Sequence, residues 1–200
     1  MRPVLVVGFD LDMTLVDSRP ATVATLAALS AESGVAIDGE LVASRLGAPF
    51  EVEMANWVEE ARIPLLATRF RELFPAHGLP LIMSLPGAAH SVAAVERAMV
   101  VTARYEPNAR QILTLCGLPI DDVVGWKHGP AKGEALRGAD ARIYVGDTVG
   151  DVHGAHAAGA VAVAVPTGHN TAAELEAAGA DVVLTSLTEF PDWLAGWHRH

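Results

Sequence analysis

The sequence has 200 residues, 51% of them hydrophobic, which suffices for one domain or for a core domain carrying a modest insertion. Its net charge is −10, and this acidic balance argues against nucleic-acid or anionic-membrane partners, since both require a positive field. It has one cysteine, Cys116, and no apolar run of about 20 residues, which excludes an intramolecular disulfide and a membrane span. We therefore expect a cytoplasmic protein, working as a monomer or homodimer.

Short β-branched runs alternate with longer Ala-rich segments, a pattern that predicts a parallel sheet flanked by helices. The first run, residues 3–9, lacks polar alternation, as expected of a central strand covered on both faces. Further strands are predicted over residues 99–102, 122–124, 142–145, 161–165 and 181–184. Helices are predicted between or after them, over residues 106–117, 130–137, 149–158, 171–178 and 187–197. The fold class is therefore α/β with a Rossmann-like core.

Residues 18–84 break this alternation and are predicted to form an inserted, all-helical cap. Amphipathic segments cover residues 21–33, 39–46, 51–62 and 65–74. Residues 75–86 have the proline and glycine content of a loop, and no strand is predicted between the first one and residue 99. We thus predict a core domain of residues 1–17 and 85–200 and a helical cap of residues 18–84.

Two carboxylates, Asp10 and Asp12, directly follow the first predicted strand. Ligand sites of parallel sheets form at the carboxyl ends of the strands, so both side chains are well placed for chemistry. One carboxylate can attack phosphorus to give an acyl phosphate, and the second can protonate the leaving oxygen and later activate water. An acidic turn without catalytic function is the alternative for this segment.

A hydroxyl and a cation follow later in the chain. Thr102 ends a predicted strand, where its hydroxyl and nearby backbone N–H groups would bind a phosphoryl oxygen, although threonines are common at strand ends. Lys132 opens a predicted helix, and a cation there would offset the repulsion between a carboxylate nucleophile and a phosphate. The chain's other lysine, Lys127, is interpreted as an exposed loop residue.

Asp147 and Asp151 lie four residues apart in a glycine-rich turn that leads from a predicted strand into a helix. Carboxylates that leave room for phosphate oxygens and water are typical of Mg²⁺ sites. The alternative is structural, with an N-capping aspartate followed by an acidic residue in the first helical turn.

Together these motifs closely resemble those of the haloacid dehalogenase superfamily. The resemblance rests on Asp-x-Asp-x-Thr, a strand-end Thr, a Lys and Gly-Asp-x-x-x-Asp, in that order, and it covers the core, about two thirds of the chain. The helical insertion between the first two motifs resembles the small-cap class that contains phosphoglycolate phosphatases and β-phosphoglucomutases.

The resemblance implies a Mg²⁺-dependent phosphatase for a small phosphate ester and assigns roles to individual residues. Asp10 would be the nucleophile and Asp12 the general acid and base, while Thr102 and Lys132 would hold the phosphoryl group. Mg²⁺ would be bound by Asp10, the main-chain carbonyl of Asp12 and Asp147, with Asp151 acting through water or from outside the coordination sphere. Superfamily members that are true dehalogenases lack the second acid, so its presence favours phosphoryl chemistry.

Substrate contacts are expected from the motif loops and from the cap. The candidates are Thr14, Ala103, Arg104, Arg45 and His169. Met13 departs from the family, because many relatives have glycine there, and its side chain must point away from the phosphate.

Two other functions remain open at this stage. A β-phosphoglucomutase-like phosphoryl transfer would use the same four motifs and differ mainly in the cap. A non-catalytic binding or regulatory protein could keep the fold, although the presence of Asp10, Asp12 and Lys132 speaks against it.

Overall fold

The computed structural model describes residues 4–197, so Pro3 of the first predicted strand lies outside the described residues. Six strands form one parallel sheet in the order β5-β4-β1-β6-β7-β8, and two more form a small antiparallel ribbon, β2-β3. The strands are β1 (Val6–Phe9), β2 (Val16–Asp17), β3 (Met83–Ser84), β4 (Arg97–Val101), β5 (Asp122–Val124), β6 (Ala141–Gly146), β7 (Val161–Ala164) and β8 (Val182–Val183). The helices are α1 (Arg19–Ser33), α2 (Gly39–Ala43), α3 (Phe50–Met54), α4 (Ile63–His77), α5 (Ala88–Ala93), α6 (Glu106–Leu115), α7 (Lys132–Gly138), α8 (Val149–Ala158), α9 (Ala172–Ala177) and α10 (Phe190–Trp197).

Strand β1 lies at the centre of the sheet, and all four of its residues are buried. It pairs in parallel with β4 on one side and β6 on the other, with Phe9 opposite both Val100 and Val145. Alternate residues of these strands belong to two separate hydrophobic clusters, one on each face of the sheet. The uninterrupted apolar character of β1 is therefore explained by burial on both faces, and the predicted Rossmann-like fold is confirmed.

A third hydrophobic cluster lies among α1, α2, α3 and α4, with Leu26, Leu29 and Met54 fully buried in it. Helix α1 packs along α4, which gives the cap its own small core. This separate core supports the division into a core domain and a helical cap at residues 18–84, which we retain as a proposal.

The junction between cap and core differs from the prediction. Residues 75–86 were expected to form a loop, but Met83–Ser84 pairs antiparallel with Val16–Asp17. A two-residue ribbon is too short to produce a period-two pattern, which is why the sequence does not reveal it. The short helix α5, which was also not predicted, follows directly.

The cap helices begin and end elsewhere than expected. The helix predicted over residues 51–62 stops at Met54, and only a 3₁₀ turn at Glu60–Arg62 follows. Helix α4 instead continues past Pro75 to His77. Because Pro75 has no N–H to donate to the carbonyl of Arg71, that carbonyl is left for the Asn108 side-chain amide, whose nitrogen lies 3.4 Å away. Over the described residues, no helix is both long and apolar enough to cross a bilayer.

Candidate active site

Three neighbouring strands each end at a polar residue of the candidate site. Asp10 follows β1, Thr102 follows β4 and Asp147 follows β6. The parallel pairing of these strands brings the three side chains to one edge of the sheet, and all three are buried. The backbone N–H of Asp10 donates to the Val145 carbonyl at 2.8 Å, which fixes the start of the first motif against β6.

Lys132, the first residue of α7, connects the carboxylates. Its Nζ lies 2.9 Å from Oδ1 of Asp10 and donates at 2.6 Å to Oδ1 of Asp151. Nζ also lies 2.9 Å from the Tyr144 hydroxyl, which itself donates to the Val101 carbonyl. Burial alone would lower the pKa of Lys132, but the two carboxylates outweigh it and raise that pKa, so the side chain is a buried ammonium ion.

Asp10, Asp147 and Asp151 form the cluster that could hold a cation, with ligand oxygens all within 4.8 Å of one another. Oδ1 of Asp147 accepts from the Thr14 hydroxyl at 2.9 Å, whereas its buried Oδ2 has no hydrogen-bond partner among residues 4–197. Burial and the charges of Asp151 and Asp10 raise the pKa of Asp147 well above its usual range. Burial, partly offset by Lys132, raises the pKa of Asp10 to about 7.

Over the part of the chain that the structure describes, Asp147 thus has no cationic partner and Asp10 shares Lys132 with Asp151, and a hard divalent cation would supply the missing positive charge. Asp151 is different, because its charge is already satisfied. Its Oδ1 accepts from Lys132, and its Oδ2 accepts from the Thr148 hydroxyl at 2.7 Å and from the Thr148 N–H at 3.0 Å. Thr148 and Asp151 thus form a capping box at the start of α8. The donor set fits Mg²⁺ with Asp10 and Asp147 as the available ligands.

A glycine on the β7 side of the sheet shapes the cation site. A Cβ atom on Gly168 would lie 1.9 Å from Oδ2 of Asp147, far inside van der Waals contact. The missing side chain thus leaves the free oxygen of Asp147 room to point into the site. Met13, the departure from the family pattern, has a backbone φ of 61° and a buried side chain that does not line the cleft.

Asp12 is held by Arg104. Nε of Arg104 donates to Oδ2 at 2.9 Å and Nη2 donates to Oδ1 at 2.5 Å, and the two side chains are only 16% and 10% exposed. Burial would raise the pKa of Asp12, but Arg104 outweighs it and lowers that pKa. Arg104, proposed as a substrate contact, is therefore bound to the predicted general acid.

Other predicted contact residues also have protein partners. The Thr14 hydroxyl donates to Asp147, and His169 Nδ1 lies 2.8 Å from the carbonyl oxygen of Leu46, which joins the core to the cap. Arg45 is ion-paired with Glu53 at 2.5 Å. Arg45 nevertheless lines the cleft that opens above Asp10, as do Ala103 and Arg104.

Several cleft residues were not identified from the sequence, and three of them lie close together. Arg71 of α4, Tyr105 and Trp126 line the same cleft as Asp10 and Asp12. Trp126 follows β5 by two residues, so its place near a strand end was the only available signal. No sequence signal identified Arg71, because its approach to Tyr105 and Trp126 arises from the packing of the cap on the core.

Comparisons with known proteins find similarity to haloacid dehalogenase-like hydrolases and phosphatases. Residues 131–190 match a family model described as HAD-hydrolase-like. A phosphoglycolate phosphatase of Yersinia pseudotuberculosis is 28% identical over 208 residues, which cover 92% of this chain and 90% of that protein.

Solved structures share the fold at lower identity. A haloacid dehalogenase-like family hydrolase from Streptococcus pneumoniae is 20% identical with a TM-score of 0.81, covering 99% of this chain and 100% of its own. A protein from Clostridium acetobutylicum described as "a predicted phosphatase" is 21% identical with a TM-score of 0.82, covering 96% of this chain and 99% of its own.

Proposed function

We propose that this haloacid dehalogenase-like phosphatase hydrolyses a small phosphorylated metabolite in a Mg²⁺-dependent reaction, through an aspartyl phosphate on Asp10. The resemblance to the superfamily and the expected phosphatase class are confirmed by the comparisons. The observation that carries the proposal is the position of Lys132, whose ammonium group lies between Asp10 and Asp151, in a cluster where an oxygen of Asp147 has no partner among the described residues. Such an arrangement suits a centre that receives further negative charge.

In the first half of the reaction, a carboxylate oxygen of Asp10 attacks phosphorus and the bond from phosphorus to the leaving oxygen breaks. Asp12 gives its proton to that leaving oxygen, so the alcohol departs neutral. Thr102 and Lys132 hold the phosphoryl oxygens during transfer, and Lys132 is already an ammonium ion in the resting site.

In the second half, water attacks the phosphorus of the aspartyl phosphate. Asp12, now a carboxylate, takes a proton from that water, and the bond between phosphorus and the Asp10 oxygen breaks. Inorganic phosphate leaves, Asp10 returns as a carboxylate and Asp12 is protonated again. Mg²⁺, held by Asp10, the Asp12 main-chain carbonyl and Asp147, would neutralise charge on the phosphoryl oxygens and on these carboxylates.

The pairing of Asp12 with Arg104 imposes a condition on this cycle. A carboxylate that accepts three hydrogen bonds from a guanidinium cannot protonate a leaving group. Arg104 must therefore leave Asp12 before the first step, and an arriving phosphate is a suitable new partner for its guanidinium. This exchange supports the predicted substrate contact of Arg104.

From the sequence we retain the further proposal that the enzyme acts in the cytoplasm as a monomer or homodimer, without nucleic-acid or membrane partners. The net charge of −10 supports the last part, because a polyanion would be repelled at long range.

Release of inorganic phosphate from a panel of phosphorylated metabolites tests the proposal. We expect release with Mg²⁺, none with EDTA and none from Asp10→Asn, while the exposed control Asp121→Asn keeps wild-type activity. Activity that survives in Asp10→Asn would mean that the nucleophile is wrongly assigned. Failure of the folded, Mg²⁺-loaded enzyme to release phosphate from any compound would contradict the phosphatase assignment.

A further inference from the structure

A cluster of one basic and two aromatic side chains lines the cleft. The guanidinium carbon of Arg71 is 5.4 Å from the ring centroid of Tyr105 and 5.4 Å from that of Trp126. The two rings are themselves 5.2 Å apart at an angle of 34°. Arg71 belongs to the cap and both rings belong to core loops, so the cluster bridges the two sides of the cleft.

The rings are fixed relative to the phosphoryl site by the backbone. The Trp126 N–H donates to the Arg104 carbonyl at 3.1 Å, and the Lys127 N–H donates to the Thr102 carbonyl at 2.9 Å. These bonds tie the loop after β5 to the loop that carries Thr102. The rings of Tyr105 and Trp126 would therefore lie at a fixed distance from a substrate phosphate bound at Thr102.

Trp126 lines the cleft and is unusually exposed for a large apolar side chain. It is 58% exposed, and its backbone φ of 55° lies in the left-handed region that a bulky residue rarely adopts. On the cap side, Phe50 and Phe70 stack with centroids 4.1 Å apart and line the same cleft. Aromatic residues of both the cap and the core thus line the cleft.

The cations of the cleft are already paired. Among the described residues that line it, the positively charged side chains are Arg45, Arg71 and Arg104, and their carboxylate partners are Glu53, Glu51 and Asp12. All three partners line the same cleft. A leaving group that carries a carboxylate would have to break one of these pairs to find a counter-ion.

We infer that Tyr105 and Trp126 form a leaving-group subsite that selects phosphate monoesters with a planar ring close to the phosphate. The inference rests on the proposed phosphatase function and names its substrate class. The ring of the substrate stacks on Trp126, and Arg71 is the positioning residue that holds the two protein rings from the cap. Stacking needs no free charge, which agrees with the paired cations.

Three substrates with primary alcohol leaving groups test this. Benzyl phosphate carries a planar ring, cyclohexylmethyl phosphate a puckered ring of similar size, and 2-phosphoglycolate a carboxylate. For the wild-type enzyme we expect kcat/KM for benzyl phosphate to exceed that for cyclohexylmethyl phosphate by roughly tenfold, the scale of one good stacking contact. The preference should lie mainly in KM, because the stacking contact is made equally in the bound ester and in the transition state.

Trp126→Leu keeps an apolar residue and removes the aromatic face, so the benzyl to cyclohexylmethyl ratio should fall to about 1. Trp126→Phe should restore much of the ratio, which a purely structural role would not do. Leu65→Ala, at a residue 74% exposed on the cap, is the control and should leave the ratio unchanged.

A ratio unaffected in folded Trp126→Leu, or a wild-type preference for 2-phosphoglycolate over benzyl phosphate, would overturn the inference while leaving the phosphatase proposal intact. Calorimetric titration with benzylphosphonate, which cannot be hydrolysed, separates the two proposals. Binding that is weakened in Trp126→Leu, in an enzyme that hydrolyses none of the esters, would support the subsite and contradict the phosphatase function. Equal binding to both proteins would overturn the subsite.

Discussion

The guanidinium of Arg104 donates hydrogen bonds to both carboxylate oxygens of Asp12, to Oδ1 at 2.5 Å and to Oδ2 at 2.9 Å. The two residues are 92 positions apart and come from the loops that follow β1 and β4. In this state Asp12 is held as a carboxylate, because Arg104 outweighs the effect of burial and keeps the pKa of Asp12 below its usual range. The resting structure therefore matches the second half of the reaction better than the first.

We predict that Arg104→Gln raises the pKa of Asp12, because burial is then opposed by weaker interactions only. The first step needs a protonated Asp12, so the decrease of kcat/KM on the alkaline side of the pH profile should move to higher pH in Arg104→Gln. Arg104→Lys keeps the positive charge and should shift this decrease less. The pH dependence of kcat/KM measures this. Asp12→Asn should lower kcat/KM by about 10²–10⁴-fold. If the pH profiles of Arg104→Gln and wild type are identical, Arg104 does not set the pKa of Asp12.

Lys132→Met should destabilise the protein by roughly 3–5 kcal/mol near neutral pH, because removal of the cation leaves buried carboxylates without compensation. The loss should be smaller at acidic pH, where Asp10, with a pKa of about 7, is protonated. Urea unfolding without metal at both pH values measures it. Lys127→Met is the matched control, since Lys127 is 30% exposed and pairs with the exposed Glu134, and it should unfold close to wild type. Equal losses in both variants would contradict the buried-cation interpretation.

Asp147→Asn should stabilise the metal-free protein at alkaline pH by about 1 kcal/mol or more, the size of an ordinary single-site effect. The expected gain in stability follows from the pKa of Asp147, which is raised in the folded state. The wild type therefore loses stability as the pH rises above the unfolded-state pKa of this carboxyl, whereas Asn does not titrate. The stability gained by Asp147→Asn should become smaller as the pH falls towards about 4.

Unfolding in EDTA across this pH range tests the sign, with exposed Asp121→Asn as the control. Added Mg²⁺ should stabilise the wild type, by preferential binding to the folded state, and not Asp147→Asn. If Asp147→Asn is less stable than wild type at alkaline pH, the carboxylate of Asp147 is not destabilised by burial and neighbouring charges.

Gly168→Ala should weaken Mg²⁺ binding by roughly 10–100-fold, because its Cβ would fill the space of the free Asp147 oxygen, and displaced ligands bind metal poorly. Titration calorimetry with Mg²⁺ gives the affinity directly. Gly138→Ala in α7, where an added Cβ meets nothing within 4 Å, is the control and should bind Mg²⁺ like wild type. Unchanged affinity in Gly168→Ala would place the cation away from Asp147.

The sequence was sufficient to place Asp10, Thr102 and Asp147 together, since residues after neighbouring parallel strands share one edge of a sheet. It could not predict what those residues bind within the protein. The pairing of Arg104 with Asp12 and the stacking of Arg71 on Trp126 depend on how distant loops and the cap pack. The same holds for the β2–β3 ribbon, whose two-residue strands leave no periodic signal.

The central position of β1 has a consequence for how the molecule is made. On a ribosome, β1, which directly precedes the proposed nucleophile Asp10, emerges ahead of both its neighbours, and β6, at residues 141–146, follows it by more than half of the chain. Helices α1 and α4 pack together and are complete much earlier, so the cap can acquire its own core while β1 still has unpaired edges. Catalytic competence is thus among the last properties that the growing chain acquires, because Asp10, Lys132 and Asp147 meet only once β6 closes against β1.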